Sequence, residues 1–460
     1  MADWGKMADW GKMRRDRPDL TQGRVLGNIW YLALPMMLTN LLQDAFNLVD
    51  MYFVGKLSPS AIAAVSMSGI ILGLIMTAVM GISLGTIALV SRAIGEKDIE
   101  KANGVVGQSL LLGLFITIIV TIIGYLFAAP MLGALGAAEE VVIQGTSYIR
   151  ITCLGSITIF LTILLFSALR GAGDPITPMI VLVISTVLNI ILDPIMIFGL
   201  LGFPRLEVGG SALATIISRA VALIIVLWAL IKDKSIIKLR AKDLHPNFKT
   251  QGKIVKIGIF ASFESVIIHL SGLLLMVFVA AWGTNTVAAY GIGMRLNMAV
   301  MIPVFGLGFA SATLVGQNLG AKKEYRAEKS GWLCALIGII IMGSLSAFFF
   351  LFPRQVIGFF SDELEVISIG EQFIRWVAPT LAFIAIAITI GRSLGGAGDT
   401  FHPMIITTIA LLIMRVSLAG WLPKQFGLIG IWIALASTNI IHGALMALWF
   451  KVGRWKQKTI

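Results

Sequence analysis

Twelve apolar stretches run through this chain of 460 residues, each long enough, at roughly 20 residues, to cross about 30 Å of hydrocarbon. They fall near 29–54, 61–90, 105–131, 142–169, 176–200, 209–231, 254–281, 286–315, 330–352, 367–393, 402–422 and 427–450, numbered spans 1 to 12 in chain order. A backbone in lipid must satisfy its own hydrogen bonds, so runs of this length fold as helices. The expected fold class is therefore all-α integral membrane, with twelve transmembrane helices. Turn residues separate the runs, as at Ser58-Pro59, at Gly171 to Pro175 and between Gly202 and Gly210. Only 13% of residues are charged, against about a quarter in soluble domains. A cytosolic enzyme and a secreted disulfide scaffold are excluded. Cys153 and Cys334 sit inside apolar runs, the four histidines lack metal-ligand spacing, and no phosphate-binding loop of the G-x-x-x-x-G-K-[ST] type is present. An ATP-driven pump would need a separate subunit for its energy, and no cofactor is expected.

The net charge of +12 would point to nucleic acid in a soluble protein, but here it reads as membrane topology. The termini and the loops after even-numbered spans hold 27 of the 36 Lys and Arg, counting Lys256 and Arg392 at the span edges. The loops after odd-numbered spans hold four, Lys56, Arg205, Arg354 and Lys424, and Arg150, Arg219, Arg295, Arg375 and Arg415 fall inside spans. Both termini are expected in the cytoplasm of a prokaryote, the protein in its inner membrane, with lipid as partner and no nucleic acid. Residues 1–12 are MADWGK written twice, a duplication of expression or start-site origin that is set apart from the fold, and no apolar leader precedes Ile29.

The chain is also an internal duplication. At an offset of 225, LRGAGDPITPMI (Leu169 to Ile180) falls on LGGAGDTFHPMI (Leu394 to Ile405) with eight of twelve positions identical, Ala63-Ala64 meets Ala288-Ala289, and Leu89-Val90 meets Leu314-Val315. Six spans per half is an even number, so the halves point the same way, related by an axis along the membrane normal. The expected organisation is a cytoplasmic tail 1–28, a six-helix lobe 29–231, a basic linker 232–253, a second six-helix lobe 254–450 and a tail 451–460, forming two pseudo-symmetric bundles. Two such bundles suit alternating access, although repeats alone do not prove transport.

Ionisable groups at bilayer depth are expensive and mark functional candidates. In span 1, Asn40, Gln43, Asn47 and Asp50 share one helical face; the bland reading of the amides is an interhelical hydrogen-bonding strip. In span 5, Asn189 and Asp193 are i, i+4 neighbours beside Pro194, which kinks the helix and loosens its backbone bonds. If Asp50 and Asp193 faced each other at about 4 Å, their repulsion would be about 4 kcal/mol at an effective dielectric near 20, so the pair would take up H⁺ or Na⁺ readily. At the same offset Asp50 falls on Leu275 and Asp193 on Leu418, so the halves share architecture but not chemistry. Glu264 in span 7 is either a second cation contact or a solvated anchor. Asp44 lies about 120° around the helix from Asp50. Met294, Met298 and Met301, with Phe260 and Phe263, either line a pliable drug cavity or pack helices in the ordinary way.

At these residues the sequence resembles the multidrug and toxic compound extrusion (MATE) family, from about Leu26 onward. The segments that carry the resemblance are Val315-Gly-Gln-Asn-Leu-Gly-Ala321, Asn47-Leu-Val-Asp50 with Pro35 upstream, and Leu188-Asn-Ile-Ile-Leu-Asp-Pro194. The resemblance implies antiport of cationic or amphipathic small-molecule drugs against H⁺ or Na⁺, with a monomer as the expected state. It is closest to the DinF-type branch, whose coupling site is similar to Asp50, Asn189, Asp193 and Thr215, a set that would also be the ligands of a Na⁺ ion. That branch's substrate path looks like Gln43, Asn47, Tyr148 and Pro35, to which Glu264 and Met298 are added from the second lobe. In the NorM-type branch a span 7 glutamate follows a proline by about two turns; here Phe260 replaces the proline and Glu264 comes one turn later. The alternatives are a lipid-linked oligosaccharide flippase, against which the acidic N-terminal face argues, and an integral-membrane enzyme, for which no D-D-x-x-D or H-E-x-x-H set is present.

Overall fold

The computed structural model describes residues 18–232 and 235–460, so the MADWGK duplication lies outside the described residues. Among those residues there is no strand. Eleven helices are long and apolar enough to cross a membrane, and a bent pair makes the twelfth span. Spans 1 to 3 are Val25–Gly55, Pro59–Gly95 and Ile99–Ala134; spans 5 and 6 are Ile176–Phe198 and Glu207–Ile231. Spans 7 to 12 are Phe248–Ala280, Thr284–Gly320, Glu324–Leu351, Leu364–Gly396, Phe401–Phe426 and Ile429–Val452. Local chemistry sets the starts. The Ser58 hydroxyl accepts from the Ala61 amide at 3.1 Å with Pro59 in the first helical turn, and Asp98 accepts from the Lys101 amide at 2.9 Å.

Span 4 differs from the single helix expected over 142–169. It is broken into Glu139–Leu154 and Ser156–Gly171, bent by 52°. The break falls at Gly155, where a Cβ would run into the Ile216 side chain of span 6. The Cys153 carbonyl, beside the break, instead accepts hydroxyls from Thr121 and Ser156, each at 2.7 Å.

The chain divides into two compact units, one made of Leu38–Ile259 with the described part of the N-terminal tail, the other of Arg24–Met37 with Phe260–Ile460. The repeat is visible inside each. Gly173 and Gly398 both adopt positive φ, 84° and 85°, and the amides of Asp174 and Asp399 both donate at 2.8 Å to carbonyls five residues back, Leu169 and Leu394. This left-handed step after a helix favours glycine. Even the two lysines at positive φ, Lys97 at 61° and Lys322 at 59°, are repeat mates.

Between helices in lipid there is no water to expel, so close packing and buried polar links hold each unit. In the first unit Ser83 and Ser167 share a 2.5 Å hydroxyl contact, and Gln108 ties the linker down by donating to the Asp243 and His245 carbonyls at 3.1 and 2.8 Å. In the second unit Leu275, Tyr290, Phe373 and Trp432 form one buried apolar cluster, with the Phe373 ring edge-on to Trp432 at 5.1 Å.

Candidate functional site

Within the first unit, the polar residues of spans 1, 5 and 6 meet. Asp50 and Asp193 come within hydrogen-bonding reach of each other, and Asn189 and Thr215 reach Asp50 as well. The Thr215 hydroxyl donates to Asp50 Oδ2 at 3.3 Å, and the Asn189 amide donates to Asp193 Oδ1 at 3.2 Å. Asn189 and Asp193 are fully buried. Local structure explains the arrangement. Pro194 lies inside the span 5 helix and has no N–H, so the carbonyl one turn back is freed. Gly210 brings span 6 against the backbone of Met196, since a Cβ there would sit 2.5 Å from the Met196 carbonyl oxygen. That approach sets Thr215 opposite the carboxyl groups.

Three oxygens of this cluster, Asp50 Oδ1, Asp193 Oδ2 and Asn189 Oδ1, are buried with no hydrogen-bond partner. Buried acceptors without donors are costly, and two neighbouring carboxylates without a proton or cation between them are costlier still. The set of two carboxyl groups, an amide oxygen and a hydroxyl consists of hard oxygen donors, suited to a proton or an alkali cation rather than to a soft metal.

The other sequence candidates divide between the units. Tyr148 packs beside Val54, Ile197 and Val208, close enough for the charges of Asp50 and Asp193 to act on it. Gln43 accepts from Arg219 Nη2 at 2.6 Å, and Asn47 is exposed. Pro35, Glu264 and Met298 belong to the second unit. There Glu264 is partly buried rather than freely solvated: Thr407 donates to its Oε1 at 3.2 Å and also lies 3.0 Å from His442 Nε2, while Arg392 is near enough to interact by charge. Met298 is 63% exposed and adds nothing to that group.

Two parts of this picture escaped the sequence reading. Arg219, at the midpoint of the span 6 helix, stands beside Gln43 and Asp50, and Thr407 with His442 surrounds Glu264. Arg219 carried a signal, an ionised group at bilayer depth; Thr407 carried none. Conversely, the repeat mates of the first-unit cluster form no polar site. Leu275 and Phe373, the mates of Asp50 and Tyr148, sit in the apolar cluster with Trp432, and Leu418, the mate of Asp193, packs against it.

The profile of the MatE family matches residues 35–195 and 261–421, once in each half. The chain is 30% identical to the probable multidrug resistance protein NorM of Thermotoga maritima over 93% of each chain, and 28% identical to the multidrug export protein MepA of Staphylococcus aureus over 91% of this chain and 92% of that one. Among solved structures it is similar to a MOP superfamily transporter from Pyrococcus furiosus, with a TM-score of 0.88 and 27% identity, covering 96% of this chain and 98% of that one.

Proposed function

Because the chain belongs to the MatE family of transporters, we propose that it is a secondary antiporter, exporting organic cations and amphipathic drugs against H⁺ or Na⁺ through alternating access of its two lobes. The observation that carries this reading is the group of orphaned buried oxygens on Asp50, Asp193 and Asn189. An unoccupied carboxylate pair is unstable, so binding of the ion is tied to the state of spans 1, 5 and 6. Ion binding and substrate binding then compete for one lobe. The set of Asp50, Asn189, Asp193 and Thr215, with Tyr148 and Gln43 alongside, is most similar to the DinF-type branch, and coupling is assigned to the first lobe on that basis. Both termini are assigned to the cytoplasm from the distribution of Lys and Arg, and a monomer is sufficient for the mechanism.

Purified protein in proteoliposomes, with ΔpH and ΔNa⁺ imposed separately, tests the proposal. Efflux of a lipophilic cationic dye driven by one of the two gradients is the expected result. Dye movement that follows neither gradient would overturn antiport.

A further inference from the structure

Arg219 poses a separate problem. Its side chain is only 8% exposed, and it lies at the centre of the 25-residue helix Glu207–Ile231, where an arginine is most expensive for a membrane protein to hold. A guanidinium carries five N–H donors, yet Nη2 to Gln43 Oε1, at 2.6 Å, is the one hydrogen bond its side chain donates among the described residues. Its planar group is held over the Phe46 ring, 4.8 Å from the centroid, and it feels the charge of Asp50 without forming an ion pair. Gln43 spends its amide oxygen on Arg219, which leaves its NH₂ as a donor. Arg219 and Gln43 therefore present a corner made of donors only, one of them permanently cationic, and among the described residues no further acceptor bonds to it. Nearby, on spans 1 and 5, the unpartnered atoms of Asp50, Asp193 and Asn189 are all acceptors.

We propose that Arg219, backed by Gln43 and Phe46, is a specificity-determining residue that takes the acidic group of the substrate, so that the preferred substrates are amphipathic zwitterions: an apolar body with a carboxylate for Arg219 and a cationic nitrogen for the Asp50 side. The inference rests on the antiport reading above and narrows its substrate class. The chemistry is that of the planar guanidinium fork, which matches a carboxylate with two parallel hydrogen bonds. A lysine at the same place keeps the charge and loses the fork.

The test uses the full chain and a matched pair of cationic xanthene dyes, one with a free carboxylate and one with that carboxylate as its methyl ester. Binding is read by fluorescence polarisation in detergent, efflux in proteoliposomes. Arg219→Gln should weaken binding of the carboxylate dye by about 10-fold or more, as loss of a charge-assisted hydrogen bond predicts, and leave the ester within about twofold on that same scale. Arg219→Lys should fall between the two, which separates recognition from a folding defect. Equal weakening of both dyes, no change in either, or an altered ion dependence of ester efflux would overturn the proposal and make Arg219 a structural counter-charge for Asp50. Failure of the unaltered chain to move the ester dye with either gradient would instead overturn antiport itself, and this inference with it.

Discussion

Substituting Asp193 by Asn removes one charge from the carboxyl pair with almost no change of shape, and its consequences can be worked from the contacts. Asp50 and Asp193 lie within hydrogen-bonding reach, so at about 4 Å and an effective dielectric near 20 their repulsion is about 4 kcal/mol when the site is empty and both are ionised. A monovalent cation between them gains a similar amount from each. Asp193→Asn deletes one of those attractions, which lowers cation affinity by up to about three orders of magnitude at about 1.4 kcal/mol per decade. It also deletes the repulsion, so the empty variant should melt no lower than the empty parent. The assay pairs thermal unfolding in detergent, with and without Na⁺ and across pH, with gradient-driven dye efflux in proteoliposomes. In the parent, the coupling ion raises the melting temperature by mass action; in Asp193→Asn that rise should vanish along with coupled efflux. A variant that keeps both, or one that melts well below the parent in the absence of the ion, would refute the reasoning and make Asp193 a structural hydrogen-bonding residue.

Glu264→Gln should leave the ion dependence of efflux intact, because Thr407 can still donate to the amide oxygen where it now donates to Oε1; loss of coupling with Asp193→Asn normal would move the ion site to the second lobe. Gly210→Val should lower the melting temperature, since a Cβ 2.5 Å from the Met196 carbonyl oxygen forces spans 5 and 6 apart at an overpacking cost of about 1–3 kcal/mol, and efflux should fall with it. Asp399 is buried, which by itself would raise its carboxyl, but hydrogen bonds from Lys458, His402 and Trp449 and the Lys458 charge hold it below the ordinary carboxylate range. Its contribution to stability is therefore complete above that range and lost as pH falls through the lowered value, so Asp399→Asn should depress the melting temperature at pH 7 and much less near pH 3. Cysteines replacing Lys56 and Lys424 should react with an impermeant thiol reagent from outside intact cells and a cysteine replacing Lys242 should not; labelling of the last from outside would reverse the orientation.

The spans were legible because hydropathy and length alone decide them in a bilayer, and the duplication because Gly173 and Gly398 must both take a left-handed turn. What the sequence hides is chemistry set by partners on other helices. A π-helical segment over Thr408–Met414 interrupts span 11 with neither proline nor glycine inside it; the Ser271 hydroxyl of span 7 donates to the Leu411 carbonyl there, a pairing that no local pattern announces. The meeting of Asp50 and Asp193 could be supposed from their absence in the second half. Arg219 is marked by its depth in span 6, but its partner Gln43 and the Phe46 ring beneath it lie on span 1 and appear only when its donors are counted against the acceptors around it.

The two lobes show that the scaffold does not depend on the Asp50–Asp193 cluster proposed as the ion site. What recurs between them is backbone: the turns at Asp174 and Asp399 and the lysines at positive φ, Lys97 and Lys322. What does not recur is the cluster, whose mates Leu275 and Phe373 are 1% exposed in apolar packing with Trp432. A carboxylate introduced at Leu275 would be an unpaired buried charge without the amide and hydroxyl that spans 5 and 6 supply in the first lobe, a destabilising change rather than a second site. In the second lobe buried Arg415 bonds to Thr438 and Asn439, while the carboxyl group placed among polar neighbours at bilayer depth is Glu264, beside Thr407 and His442. Their links run through a hydroxyl to a single carboxyl group, and one carboxyl lacks the mutual repulsion that makes the Asp50–Asp193 pair demand a proton or cation. The asymmetry between a demanding site and a satisfied one is the physical reason to expect a single coupling centre in a doubled protein.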